Sequence, residues 1–127
     1  MAIDYTALLG LGAAIQVATA HYDFARDGGA VGAVYPSSAI IPSGAIVLGW
    51  VVVCTEHVTF AGAGSLNWGF ADITLEYLPV LPGQVKVGWN SEASYMILDR
   101  DQPLNAIILG FEVTAGKSRL SVFYLPT

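Results

Sequence analysis

Charged residues are scarce in this sequence, and their scarcity excludes one class of partner. They make up 12% of the 127 residues, about half of the usual quarter. Five basic residues against ten acidic ones give a net charge of −5. The basic residues are scattered along the chain and form no patch that could neutralise phosphates. We therefore expect no nucleic-acid partner.

Cysteine is nearly absent. Cys54 stands alone, so no disulfide can form within the chain. A domain of this length can bury roughly two-thirds of its unfolded surface without such a bond. A single cysteine within an apolar run is typical of a small buried residue in a protein that folds in the cytosol.

The N-terminal segment lacks the features of a leader or an anchor. The apolar run at 7–20 is preceded by Asp4 and by no Lys or Arg, whereas a signal peptide starts with positive charge. The run is also short and rich in Gly and Ala for a membrane span. We expect no membrane association, and we predict that residues 1–14 form an arm or a short helix ahead of a single domain at 15–127.

Apolar residues, in contrast, are abundant. Hydrophobic side chains make up 54% of the sequence. A monomer of this size cannot hide that much apolar surface, so some of it should face partner subunits. The composition therefore predicts an assembling protein.

Apolar and polar residues alternate in short runs that are separated by Gly, Pro, Asn and Asp. About eight or nine strands fit this pattern, at spacings of roughly ten residues. The Asp-Gly pair at Asp27-Gly28 is typical of a hairpin turn, and residues 114–117 (TAGK) are predicted to form the last turn. No long helical period, linker or repeat interrupts the pattern. It predicts an all-β fold, either an antiparallel β-sandwich or a jelly roll.

The longest predicted strand, residues 45–55 (AIVLGWVVVCT), is apolar on both faces. One face would carry Ile46, Leu48, Trp50, Val52 and Cys54. The other face would carry Val47, Gly49, Val51 and Val53. A strand with two apolar faces must be covered on both sides. One cover is the core, and we predict that the other, over Val47, Gly49, Val51 and Val53, is a subunit interface.

Candidate chemical groups do not combine into a recognisable site. Cys54 and His57 could pair as nucleophile and base, but an odd spacing on a strand points them to opposite faces. His21 and Asp23 would share a face, where a structural hydrogen bond is the simpler role. We expect no catalytic residue and no enzyme activity.

Metal and cofactor motifs are also incomplete. Asp99 and Asp101 resemble a fragment of a calcium loop that lacks its other ligands. The Gly pairs at 28–29 and 62–64 lack the Lys-Ser/Thr ending and the following helix of a phosphate loop. We therefore expect no metal and no cofactor.

Aromatic residues offer an alternative function. Three Trp and several Tyr could line a sugar-binding groove on a sandwich, although packing in the core and at interfaces is the simpler explanation for them. The residues in question are Trp50, Trp68, Trp89, Tyr22, Tyr35, Tyr77 and Tyr95. A carbohydrate- or receptor-binding module is the alternative function.

Three stretches resemble a small structural protein of tailed bacteriophages. They are residues 22–32 (YDFARDGGAVG), residues 41–47 (IPSGAIV) and a closing TAGK segment followed by an apolar strand that ends in Tyr124. The Gly-rich residues 61–69 also fit. The resemblance spans about residues 20–70 and 104–125, and residues 71–103 match nothing in the family.

The resemblance implies a capsid decoration (cement) protein or the related head-fibre base. Such a protein is β-rich, typically trimeric, and lies on the outer shell between capsomers. A homotrimer, with the major capsid protein as partner, is therefore expected on the capsid surface of a virion assembled in the host cytoplasm. The protein would stabilise the phage head by bridging capsid subunits. If the chain instead binds a carbohydrate or a receptor, the resemblance implies a β-sandwich module of a phage fibre or tail.

Overall fold

Strands form where the sequence alternates β-branched and aromatic residues with polar ones. The computed structural model describes residues 15–36, 38–70, 73–77, 83–89 and 96–126. Their strands are β1 (Gln16–Asp23), β2 (Gly32–Val34), β3 (Ile40–Ile41), β4 (Ile46–Phe60), β5 (Ser65–Phe70), β6 (Ile73–Tyr77), β7 (Val85–Trp89), β8 (Met96–Ile97), β9 (Gln102–Leu109) and β10 (Val113–Leu125). Residues 1–14, predicted to form an arm or a short helix, lie outside the described residues.

The strands form two sheets, each with five strands in the described part of the chain. Sheet I has the order β1-β10-β4-β7, and β8 also pairs with β4. Sheet II has the order β2-β9-β5-β6, and β3 also pairs with β9. Every pairing is antiparallel. The predicted all-β antiparallel sandwich is confirmed.

One core lies between the two sheets. Sheet I contributes Ala20, Val52 and Leu120 from three neighbouring strands, and all three are fully buried. Sheet II contributes Trp68 and Leu104, which are also fully buried. Burying a large apolar side chain contributes about 1.5–3 kcal/mol, so this shared core is what holds the sheets together.

The Asp27-Gly28 turn is not the hairpin that the sequence predicts. Residues Phe24–Asp27 form a one-turn helix, α1, after which the chain passes from sheet I to sheet II. The Asp23 side chain accepts a hydrogen bond from the Ala25 N–H and caps this helix, and Gly28 follows it with φ of 79°. The prediction was wrong because an N-capping carboxylate competes with the primed turn for the same residues.

The predicted last turn at 114–117 is a series of bulges within β10. The pairing of β10 with β4 shifts between Val113 and Ala115, between Ala115 and Lys117, and between Lys117 and Ser118. Gly116 adopts φ of 125°, which an extended strand does not require and a bulge does. Gly and Lys therefore mark an irregular strand at this point.

No helix among the described residues is long and apolar enough to cross a membrane.

Candidate functional site

The most prominent surface feature is the side of sheet I that faces away from the core, which we call the outer face. Cross-strand partners share a face, so the register of the four long strands places their outward residues in three rows. We define the outer face as Val17, Thr19 and His21 of β1, Arg119, Ser121 and Phe123 of β10, Gly49, Val51 and Val53 of β4, and Val85 and Val87 of β7. Beyond the Arg119 row, the register continues to Lys117, which pairs with Asp23 and Glu56.

The outer face is apolar and open to solvent at both edges. Val17 on one edge is 51% exposed, and Val85 and Val87 on the other edge are 52% and 54% exposed. Between them, Val51 and Phe123 are half-buried by their neighbours. A contiguous apolar patch of a few hundred Å² is about the largest that a typical monomer exposes, and such a patch often serves as an interaction surface.

Polar groups on the outer face are few. Thr19 and Ser121, in the middle row, share a hydrogen bond of 3.1 Å between their hydroxyl oxygens. His21 and Arg119, opposite each other in one end row, are the ionisable groups of these rows. Arg119 makes no ion pair with any residue of the described part of the chain.

The predicted interface strand is only partly on this surface. Val47 is fully buried in the core, so its placement beside Gly49, Val51 and Val53 was wrong. Phe123 pairs with Gly49 and Tyr124 with Val47, which leaves Leu48 as an extra residue in β4. One extra residue reverses the alternation of faces. Gly49, Val51 and Val53 remain on the outer face, where a subunit contact remains a prediction.

A small cleft lies beside the irregular part of β10. It has a volume of about 250 Å³ and is lined by Asp23, Phe24, Glu56, Gly116 and Lys117, among others. The Lys117 Nζ lies 3.6 Å from Glu56 Oε2 and 3.9 Å from Asp23 Oδ2. These half-exposed charges compensate one another at the surface, where such pairs contribute little to stability. The contacts of Lys117 with Asp23 and Glu56 therefore connect β10 to β1 and β4.

Asp27 and Tyr22 are two titrating groups near α1 whose pKa values are shifted. Burial alone would raise the pKa of Asp27, but hydrogen bonds from the Arg26 side chain and the Asp23 N–H, together with the Arg26 charge, lower it below its usual value. Burial, with the charges of Asp27 and Asp23, raises the pKa of Tyr22 to about 12. The Tyr22 hydroxyl donates to the Gly28 carbonyl at 2.6 Å. The hydrogen bonds of both side chains therefore hold the chain in place around the helix α1.

The structure separates the candidate catalytic pairs. Cys54 is fully buried and its thiol donates to the Glu56 carbonyl at 3.2 Å, and burial raises its pKa. His57 is exposed. In the described part of the chain, no hydrogen bond joins the side chains of His21 and Asp23. The expected bond between them is wrong, because the Asp23 carboxylate instead caps α1 and faces Lys117.

The acidic turn around Asp101 and the buried aromatic residues make contacts that stabilise the fold. The Asp101 carboxylate accepts from the Ser43 N–H at 2.8 Å and so ties two loops together. No group of three acidic, His or Cys residues in the described ranges is placed to hold a metal ion. Trp68 and Tyr22 lie in the core, whereas Tyr35 is exposed. Trp50 is partly buried against the core, and the side chains of Trp89, Tyr77 and Tyr95 lie outside what the structure describes.

The fold is shared with chains from two phage capsids. A chain in the acidic stable capsid structure of Helicobacter pylori bacteriophage KHP30 matches with a TM-score of 0.59 and 20% identity, over 88% of this chain and 87% of that one. A chain in the cyanophage Pam1 capsid asymmetric unit matches with a TM-score of 0.62 and 18% identity, over 91% of this chain and 86% of that one. No protein-family model and no curated protein matches the sequence.

These comparisons establish likeness of fold, since the identities are low. Nearly the whole of this chain and of each capsid chain takes part in the match. The resemblance to phage structural proteins noted in the sequence is thereby confirmed at the level of fold. Both similar structures are phage capsids.

Proposed function

We propose that this chain is a capsid decoration protein, which lies on the outer surface of a phage head and stabilises the head by bridging capsid subunits. The observation that carries the proposal is the open apolar face of sheet I, on a fold shared with chains of two phage capsids. The role is structural and non-enzymatic, and the partner is the major capsid protein.

The proposed function needs no chemical reaction, because binding to the assembled shell is itself enough to stabilise it. A protein that binds the assembled shell and not its separated subunits stabilises the shell by mass action, by about 2.7 kcal/mol per site when it is present at a hundred times its dissociation constant. Many sites on one head add their contributions. The apolar outer face marks the chain as one with surface available for assembly on the head.

A particle-melting experiment tests the proposed role. Phage heads are stripped of the protein, and the temperature at which they release DNA is compared with that of intact heads. Stripped heads should release DNA at a lower temperature, and adding back the purified protein should restore the original value. Equal release temperatures for stripped and intact heads would contradict a stabilising role.

The subunit count is tested separately. The resemblance to decoration proteins supports a homotrimer, which would have three times the 13.4 kDa mass of one chain. Light scattering on the purified protein measures this mass directly. A stable monomer at low concentration would contradict trimeric assembly. The capsid role would then depend on the result of the particle-melting experiment.

A further inference from the structure

We propose that the outer face of sheet I pairs with the same face of a second copy of this chain, with the Arg119 end of each copy against the Phe123 end of the other. This inference deepens the proposed function and rests on it for its setting at the capsid surface. The contact itself can be tested on the purified protein.

The middle of the outer face is suited to an apolar partner. The hydroxyl groups of Thr19 and Ser121 already share a hydrogen bond of 3.1 Å. Val51 and Val87, in the same row, supply only methyl groups. The row therefore presents no converging donors and acceptors of the kind that orient a sugar, whereas another apolar sheet face would bury these valines at a spacing of about 10 Å.

The two ends of the outer face complement each other. Arg119, Ser121 and Phe123 lie on the same side of β10 at intervals of two residues. A two-fold axis that passes by Ser121 at right angles to the strand would place Arg119 of one copy over Phe123 of the other, twice. A guanidinium over an aromatic ring is attractive by about 0.5–2 kcal/mol, depending on desolvation.

The charges on the outer face favour contact with the same face of a second copy over contact with a different surface of that copy. Arg119 has no ion pair among the described residues. The three rows contain no carboxylate, and in the next pairing along the strands Lys117 compensates the charges of Asp23 and Glu56. Two identical faces stacked in this orientation bring no acidic group next to the valines, and they separate the two Arg119 side chains to opposite ends of the contact. The stacking thus avoids like-charge repulsion.

The size of the face predicts a weak contact. Four strands and five residues along each strand cover about 19 Å by 17 Å, or roughly 320 Å² per copy. Stable complexes bury about 800 Å² per partner, so the pair should dissociate readily when dilute. A two-fold contact joins copies in twos, and in a trimeric protein it would link neighbouring trimers on the shell, where their local concentration is high.

Cysteine crosslinking traps such a pair. Ser121 lies next to the proposed axis, but sheets stacked at about 10 Å hold facing Cα atoms too far apart for a disulfide. A short bis-maleimide crosslinker should therefore join Ser121→Cys to its counterpart and yield a covalent dimer. Two controls are matched to it. The unaltered chain has only the fully buried Cys54, and Val31→Cys places a thiol at a position that is 56% exposed and away from the outer face. Neither control should dimerise.

A mixing experiment tests the orientation. An equimolar mixture of Arg119→Cys and Phe123→Cys chains should crosslink, whereas each variant alone should remain monomeric on a denaturing gel. Crosslinking of either variant alone, with none in the mixture, would overturn the proposed orientation.

The failure of this inference is distinguishable from the failure of the proposed function. If Ser121→Cys dimerises no more than Val31→Cys, although its fold is unchanged by circular dichroism, the pairing of copies is refuted. The same Ser121→Cys chain, kept reduced, can still be added to stripped heads. Restored melting would then support the capsid role without the pairing of copies, whereas melting that stays low would count against both proposals.

Discussion

A hydrogen bond between the two sheets gives the sharpest test of how the sandwich is held together. Trp68 of sheet II donates its indole N–H to the Ser118 hydroxyl of sheet I at 2.8 Å, and both residues are buried. The Ser118 hydroxyl in turn donates to the Val53 carbonyl at 3.2 Å. The Ser118→Ala substitution would leave the indole N–H buried without a partner.

The expected loss of stability follows from that unpaired donor. A buried polar group left without its partner costs about 1–3 kcal/mol. Unfolding entropy of about 2.1 cal/mol/K per residue converts each kcal/mol into roughly 4 °C for a chain of this length. We therefore expect Ser118→Ala to lower the melting temperature by about 4–11 °C.

Thermal unfolding followed by circular dichroism measures this effect. Ser121→Ala is the matched control, because it removes a hydroxyl from the same strand on the solvent side, where Thr19 can bond to water instead. Its melting temperature should change little. Equal melting temperatures for the Ser118→Ala and Ser121→Ala variants would refute the reasoning. In a double-mutant cycle, Trp68→Phe should abolish most of the cost of Ser118→Ala, because no indole N–H is then left unpaired.

Three further predictions concern the backbone and two titrating groups. Gly116→Ala should destabilise the fold more than Gly28→Ala: both glycines have positive φ, but a Cβ at Gly116 would lie 2.5 Å from the Val58 Cα, whereas nothing lies within 4 Å of one at Gly28; chemical denaturation measures the difference, and equal losses would contradict it. The pKa of Asp27 is lowered in the folded state, so the stability lost in Asp27→Asn should be fully apparent above about pH 4 and should vanish as the pH falls through the folded-state pKa; a difference independent of pH between 2 and 6, in melting scans, would count against it. The pKa of Tyr22 is raised to about 12, so the unaltered chain should lose stability relative to Tyr22→Phe as the pH rises from about 10 towards that value; parallel denaturation curves over that range would be the contrary result.

Alternation in the sequence predicts most of the strands, because a half-buried strand needs period two. It predicts the segment that becomes β4 and the outward placement of Val51 and Val53. It does not predict the inward placement of Val47, since the extra residue at Leu48 is set by the pairing of β4 with β10 and leaves no mark in the local pattern. A one-residue insertion of this kind is a tertiary effect.

The composition of the outer face could not be read from the sequence for a similar reason. Val17 and Phe123 become neighbours only because the first and last strands of the described chain pair, which brings together residues that are more than a hundred positions apart. The helix α1 is different, because Asp23 is a preferred N-cap residue directly ahead of Phe24–Asp27. A reading that weighed this signal against the Asp-Gly pair could have found it.

Electron cryomicroscopy of the purified phage tests the central claim most directly. The proposal expects density for a two-sheet sandwich on the outer surface of the shell, in contact with the major capsid protein and large enough to contain this chain. Density of that shape at the tail alone, or a shell with no sandwich on its outer surface although the protein is present in the particles, would contradict it.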